Sequence, residues 1–125
     1  MRDALNQTGK PIVYSICNWN DERAWEWGPE TGHSWRTTQD IADKWVSVEY
    51  NFYENDKFAA QAGPGHWNDA DMLEVGNGGM TITEEKTHFA LWAIAKSPLI
   101  MGNDLTNIRE ESLEILKNSE IIAIN

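Results

Sequence analysis

The chain has one cysteine in 125 residues. No internal disulfide can brace it, which excludes a stapled secreted miniprotein. Basic residues are scarce: 10 Lys and Arg stand against 20 Asp and Glu, a formal net charge of −10. At an isoelectric point near 4.6 there is no basic footprint to meet phosphates, so a nucleic-acid partner is not expected. No window approaches the roughly 18 uninterrupted apolar residues of a membrane span, so no membrane association is expected either. Low-complexity stretches, repeats and linkers are missing. The start, Met1-Arg2-Asp3-Ala4-Leu5, lacks the apolar segment of a signal peptide. His33, His66 and His88 show no metal-ligand spacing, and no metal or cofactor is assigned. What is present is a 41% hydrophobic share with 7 Trp, too much for a disordered chain. This describes an acidic globular piece, about one small domain by length.

The pattern along the chain is of strands alternating with helices. Residues 11–17, running from Pro11 to Cys17, are apolar on both parities and predict a buried strand. Residues 18–35 are polar and aromatic and predict a long loop. Ile41, Trp45, Val48 and Phe52 share one helical face, which predicts a helix from about Asp40. Phe58 to Ala62 fits a helix end or a short strand, and Gly63-Pro64-Gly65 stops any regular element. Residues 63–80 predict a second long loop. Thr81 and Glu84 have capping-box spacing before a helix that is apolar nearly all round from Phe89 to Ala95, which predicts burial on several sides. Residues 98–101 predict another buried strand. Arg109 to Lys117 predicts an amphipathic helix with Leu113 and Leu116 inward, and an apolar run, Ile121 to Ile124, ends the chain. This alternation argues for an α/β fold with a parallel sheet. Long loops follow the strand ends and returns are short, the asymmetry of (β/α) barrels.

Three clusters have the means to carry chemistry: Cys17-Asn18-Trp19, the stretch from Ser34 to Asp40, and the stretch from Gly63 to Met72. Each mixes Trp with carboxylate, amide or guanidinium groups. A sugar presents apolar C–H faces and hydroxyl edges, so its site needs flat aromatic walls beside bidentate polar groups. Arg36 can fix a hydroxyl while Asp40, four residues on, moves a proton. Plainer readings stand beside these. Asp40 precedes a helical stripe and suits an N-cap. Asp69 and Asp71 suit Asx turns, single Trp residues suit packing, and Cys17 suits a small buried hydrophobe.

These clusters resemble the α-galactosidases (melibiases) of glycoside hydrolase family 27, essentially end to end. Ala4-Leu5-Asn6 with Thr8-Gly9-Lys10-Pro11-Ile12 resembles the approach to that family's fifth barrel strand, and Tyr14 to Trp19 the strand and its active-site end. Ser34-Trp35-Arg36-Thr37-Thr38-Gln39-Asp40-Ile41 resembles the segment carrying the acid/base aspartate. Ala62 to Leu73 resembles the signature loop, residues 91–94 and 98–101 its seventh helix and eighth strand, and residues 121–125 the exit toward a C-terminal β-sandwich. Two positions depart from the pattern: Ala70 stands where the family usually has Pro, and His66 where it often has Gly.

The resemblance implies retaining hydrolysis of terminal α-D-galactosyl residues, with a galactose-containing oligosaccharide or polysaccharide as partner. One carboxylate attacks the anomeric carbon, and another protonates the leaving oxygen and then deprotonates water. By motif position Asp40 is the acid/base. Asn18, Trp19, Arg36, Asp71 and Met72 bind substrate, supported by Cys17, Trp35, Trp67, Asn68 and Asp69. The family's nucleophile lies in a Lys-Tyr-Asp-Asn-Cys type segment, which this sequence does not contain, and Cys17 in relatives pairs with that segment's cysteine. The expectation is therefore that residues 1–125 form the C-terminal half, strands 5–8, of a (β/α)₈ barrel, with Met1 an internal position and the piece inactive alone. Open sheet edges in a half barrel predict self-association. An α-N-acetylgalactosaminidase, a β-L-arabinopyranosidase and a non-catalytic sugar-binding fragment are the alternatives. The family is often secreted or lysosomal.

Overall fold

A computed structural model describes residues 1–19 and 22–125. The part of the predicted 18–35 loop that falls on residues 20 and 21 lies outside them. Helix α1 (Arg2–Asn6) leads into strand β1 (Ser15–Ile16). Helix α2 (Ala24–Trp27) runs into a 3₁₀ turn at Gly28–Glu30, and strand β2 (Ser34–Arg36) follows. Next come helix α3 (Trp45–Asp56), a 3₁₀ turn at Ala59–Gln61 and strand β3 (Trp67–Asp69). Helices α4 (Ile82–Ile94), α5 (Glu110–Leu116) and α6 (Ser119–Ile122) complete the described elements.

The three strands form one parallel sheet in the order β1-β2-β3. Ser15 pairs with Ser34, Trp35 with Asn68, and Arg36 with Asp69. All three strands therefore end on one side of the sheet, where a parallel α/β arrangement gathers its loops. A single parallel bridge, Leu73 with Met101, continues the pattern past β3.

Several elements differ from the sequence reading. The 11–17 run narrows to two paired residues. Ile16 is buried, but Val13 is 81% exposed and Cys17 is exposed, because among the described residues β1 has a neighbour on one side only. β2 begins inside the predicted 18–35 loop and β3 lies within the predicted 63–80 loop, each three residues long and too short to show a period. The predicted 98–101 strand reduces to the Met101 bridge, with Ile100 and Met101 about half exposed. On α4, Phe89, Trp92 and Ala93 are buried while Ile94 faces out, so burial is not all round. On α5 the inward residues are Ile115 and Leu116 with Ser112, and Leu113 is only half-buried.

Packing explains the rest. The main core joins Val48 of α3, Leu73 and Val75, Phe89 and Trp92 of α4, and Ile115 and Leu116 of α5. Ile41, Trp45 and Phe52 pack half-buried against it, so the predicted stripe faces the core although the helix starts later than predicted. A smaller cluster sets Trp35 against Ile16 and Ala24. Trp35 lies so close to the 3₁₀ turn that a Cβ on Gly28 would sit 2.6 Å from its ring. The capping box at α4 is complete: Thr81 Oγ1 accepts the Glu84 N–H at 3.3 Å, and Glu84 Oε2 accepts the Thr81 N–H at 2.7 Å. The fully buried Glu85 carboxylate ties α4 to its neighbours, accepting from Arg109 and Ser112 at 2.5 Å each and from the Gly76 N–H at 3.2 Å.

Candidate active site

A groove of about 460 Å³ opens at the C-terminal ends of the strands. Six residues named from sequence line it: Cys17, Arg36, Asp40, Asp69, Asp71 and Met72. Each arrives by a simple route. Cys17 follows β1, Arg36 ends β2, Asp40 lies on the loop after β2, and Asp69 ends β3, with Asp71 and Met72 on the loop beyond. The register sets Arg36 beside Asp69.

Asp71 organises this group. Its Oδ2 is ion-paired with Arg36 Nη2 and also accepts the Ile41 N–H at 2.7 Å. Its Oδ1 accepts the Met72 N–H at 2.7 Å. The Asp71 side chain is 6% exposed and that of Arg36 is 10% exposed, so the pair sits in a low-dielectric setting where partners must be satisfied. Asp71 also has φ +89°, a left-handed backbone that a non-glycine residue holds only under constraint. Its own N–H donates to Asp69 Oδ1 at 2.9 Å, the Asx turn expected from the sequence. Burial pushes the Asp69 carboxyl up from its ordinary range, against the opposing pulls of that N–H and of Arg36.

Asp40 is placed differently. It does not cap the following helix: the N-cap position of α3 is Lys44, so the competing sequence reading is corrected. The Asp40 side chain is 71% exposed, and Oδ1 meets Arg36 Nη2 at 3.3 Å. Arg36 Nη2 also reaches the Thr38 carbonyl at 3.5 Å, while its Nε–H is buried with no hydrogen-bond partner among the described residues. The groove thus joins a guanidinium held by Asp71 to an accessible carboxyl.

The structure does not bring every named residue here. Asn18 is half-buried and Trp19 is 43% exposed with φ +47°, and neither lines the groove. Trp35 is fully buried behind the sheet, where its Nε1–H donates to Asn68 Oδ1 at 2.8 Å. Asn68 in turn donates to the Phe58 carbonyl at 2.7 Å, so this pair braces β2 and β3 from beneath. Trp67 lines a separate cavity with Phe52 and Ile94. Sequence reasoning missed Ser15, Ile41 and Ile100 as lining residues. Ile41 read as core stripe, and nothing in the sequence marks its N–H as the ligand of Asp71. A larger groove of about 610 Å³, walled by Phe89, Ile115 and Ile121, holds none of the named residues.

Six of the named residues, from three separate segments, therefore converge on one groove. A family model described as alpha galactosidase A matches residues 1–125, the whole chain. The chain belongs to the α-galactosidase (melibiase) family. Alpha-galactosidase 3 of Arabidopsis thaliana is 55% identical over 125 residues, covering 100% of this chain and 29% of that protein. The alpha-galactosidase of Oryza sativa subsp. japonica is 50% identical, covering 100% of this chain and 30% of that protein. Among solved structures, the α-galactosidase of Saccharomyces cerevisiae with raffinose superposes at a TM-score of 0.97 and 36% identity, covering 99% of this chain and 32% of that one. The chain thus spans about a third or less of the relatives it matches, and its α/β fold with a small parallel sheet matches part of their structure.

Proposed function

We propose that residues 1–125 supply the acid/base half of a retaining α-galactosidase site, as strands five to eight of a (β/α)₈ catalytic domain. The observation that carries this is the convergence of Arg36, Asp40 and Asp71 at the C-terminal ends of parallel strands, where such barrels do their chemistry. Asp40 protonates the leaving glycosidic oxygen, then takes a proton from the water that releases the sugar. Its exposed carboxyl fits a group that must reach both an aglycone and water. Asp71 is the closer partner of Arg36, and Asp40 meets the same nitrogen at 3.3 Å. We assign Arg36 to the sugar's 2-hydroxyl region, where hydrogen bonds strengthen as oxocarbenium character develops.

Retention needs a second carboxylate about 5 Å from the first. Asp69 already accepts the Asp71 N–H, and Asp71 accepts two backbone N–H groups and is ion-paired with Arg36, so we take neither as the nucleophile. We assign that role to a carboxylate outside these residues. The substrate is a galactoside of the raffinose or galactomannan type. This draws on the family and on the raffinose complex of the yeast relative.

The test is to graft residues 1–125 in place of the matched segment of the Arabidopsis relative and to follow hydrolysis of an aryl α-galactoside. The graft is expected to turn over, and Asp40→Asn to lower kcat by about 10² to 10⁴-fold. A folded graft whose rate survives Asp40→Asn overturns the assignment. The 125-residue chain alone is expected to show no turnover. Hydrolysis by it that vanishes in Asp40→Ala overturns the division of the site.

A further inference from the structure

Asp71 holds both Arg36 and the Asp40–Ile41 backbone, yet its own conformation is strained. Something must hold the turn that carries it. β3 ends at Asp69, so the backbone groups of Ala70 and Asp71 have no ladder partner. Side chains from three other places answer them. Asn51 of α3 donates to the Ala70 carbonyl at 3.1 Å. Trp92 of α4 donates its indole N–H to the Asp71 carbonyl at 2.6 Å. The Ala70 N–H donates to Ser97 Oγ at 3.0 Å. Ala70 and Ser97 are both fully buried, so water does not substitute for this contact.

The position of Ser97 is itself determined. At the end of α4 the Lys96 N–H bonds to the Ala93 carbonyl and the Ser97 N–H to the Trp92 carbonyl, with Lys96 at φ +57°. This is a Schellman closure, and it sets Ser97 at the first position beyond the left-handed residue. The helix that delivers the Trp92 indole to Asp71 therefore also delivers the Ser97 hydroxyl to Ala70. A proline at position 70 has no N–H to satisfy and no use for this acceptor.

We propose that Ser97 is a positioning residue of the groove: by holding the Ala70 N–H it fixes the strained Asp71 backbone, and through Asp71 it sets Arg36 and the Asp40–Ile41 loop. The catalytic meaning of that placement rests on the function proposed above, but the placement itself is testable without galactose.

The experiment is NMR on ¹⁵N-labelled chain, comparing wild type, Ser97→Ala and the double variant Ala70→Pro/Ser97→Ala. In Ser97→Ala the Ala70 amide is expected to exchange about tenfold faster relative to core amides, the size of one lost buried hydrogen bond. The Trp92 indole and Ile41 amide resonances, which report on the Asp71 carbonyl and Oδ2, are expected to shift. In the double variant, where no N–H remains unpaired, both resonances return toward wild type. A role in stability alone would speed all amides together and leave those two resonances in place, and that result overturns the proposal. Failure of the double variant to restore them does so too. Should Ser97→Ala not fold, refolding of the double variant supports the proposal and its failure to fold refutes it. None of these readouts depends on catalysis, so the proposed function can fail while this inference stands.

Discussion

His88 shows how much one buried side chain contributes to the fold. It is fully buried, its Nε2 accepts the Glu74 N–H at 3.0 Å, and its ring meets Trp92 edge-on at 4.1 Å. Burial pushes its pKa down from 6.5 to about 4. Between those values an unfolded chain takes up a proton that the folded chain refuses. Stability present above pH 6.5 is therefore lost as pH falls toward 4, by an amount on the order of 3 kcal/mol. Asp69 and Glu74 act with the opposite sign. Burial raises both, so each favours the fold at low pH and withdraws that support as pH rises through its own raised value. Urea midpoints measured from pH 7 to pH 4 are expected to fall for the wild type and to fall less for His88→Gln, which keeps an acceptor without the charge. Equal slopes for the two would show that His88 does not set the acid limit.

At the scale of elements, legibility follows length and local chemistry. The capping box of Thr81 and Glu84 and the long helix behind it were readable because a few adjacent residues decide them. The helix at Ile41 was readable as a face but not as a boundary. Ile41 packs on the core before α3 begins at Trp45, and the apparent cap at Asp40 came from that extra residue. Strands β2 and β3 were invisible because three residues carry no period, and they are set by what they pair with. The motif residues were legible at Arg36, Asp40 and Asp71. The backbone donors and the Ser97 acceptor that hold them were not, since those depend on contacts up to 30 residues apart. Glu85, in the first turn of α4, is a buried link between α4 and α5. The packing of the Gly28–Glu30 turn against β2 yields an element-level prediction. Gly28→Ala places a methyl 2.6 Å from the Trp35 ring and is expected to cost about 1 to 3 kcal/mol, with a changed near-UV spectrum from the displaced indole. An unchanged melt and spectrum would mean that the ring moves aside freely.

For the whole molecule, the notable feature is apolar surface beside unpaired sheet edge. Val13 flanks β1 and is 81% exposed, while Met72, Ile100 and Met101 are each 42% to 55% exposed near the strand ends. Such edges template association, and a net charge of −10 opposes it. Salt screens the second effect and not the first. Sedimentation of the 125-residue chain is therefore expected to show association that grows between about 0.01 and 0.5 M salt, where the screening length falls several-fold. A monomer with one cooperative melt throughout that range would show the exposed face to be inert. The Asp71 carboxylate has a last consequence at this scale. One oxygen receives both Arg36 and the Ile41 N–H, so two loops that leave different strands are geared to one atom. A ligand that draws on Arg36 is felt at the Asp40 loop, and disorder in that loop is felt in the affinity of Arg36, by the same free energy in each direction.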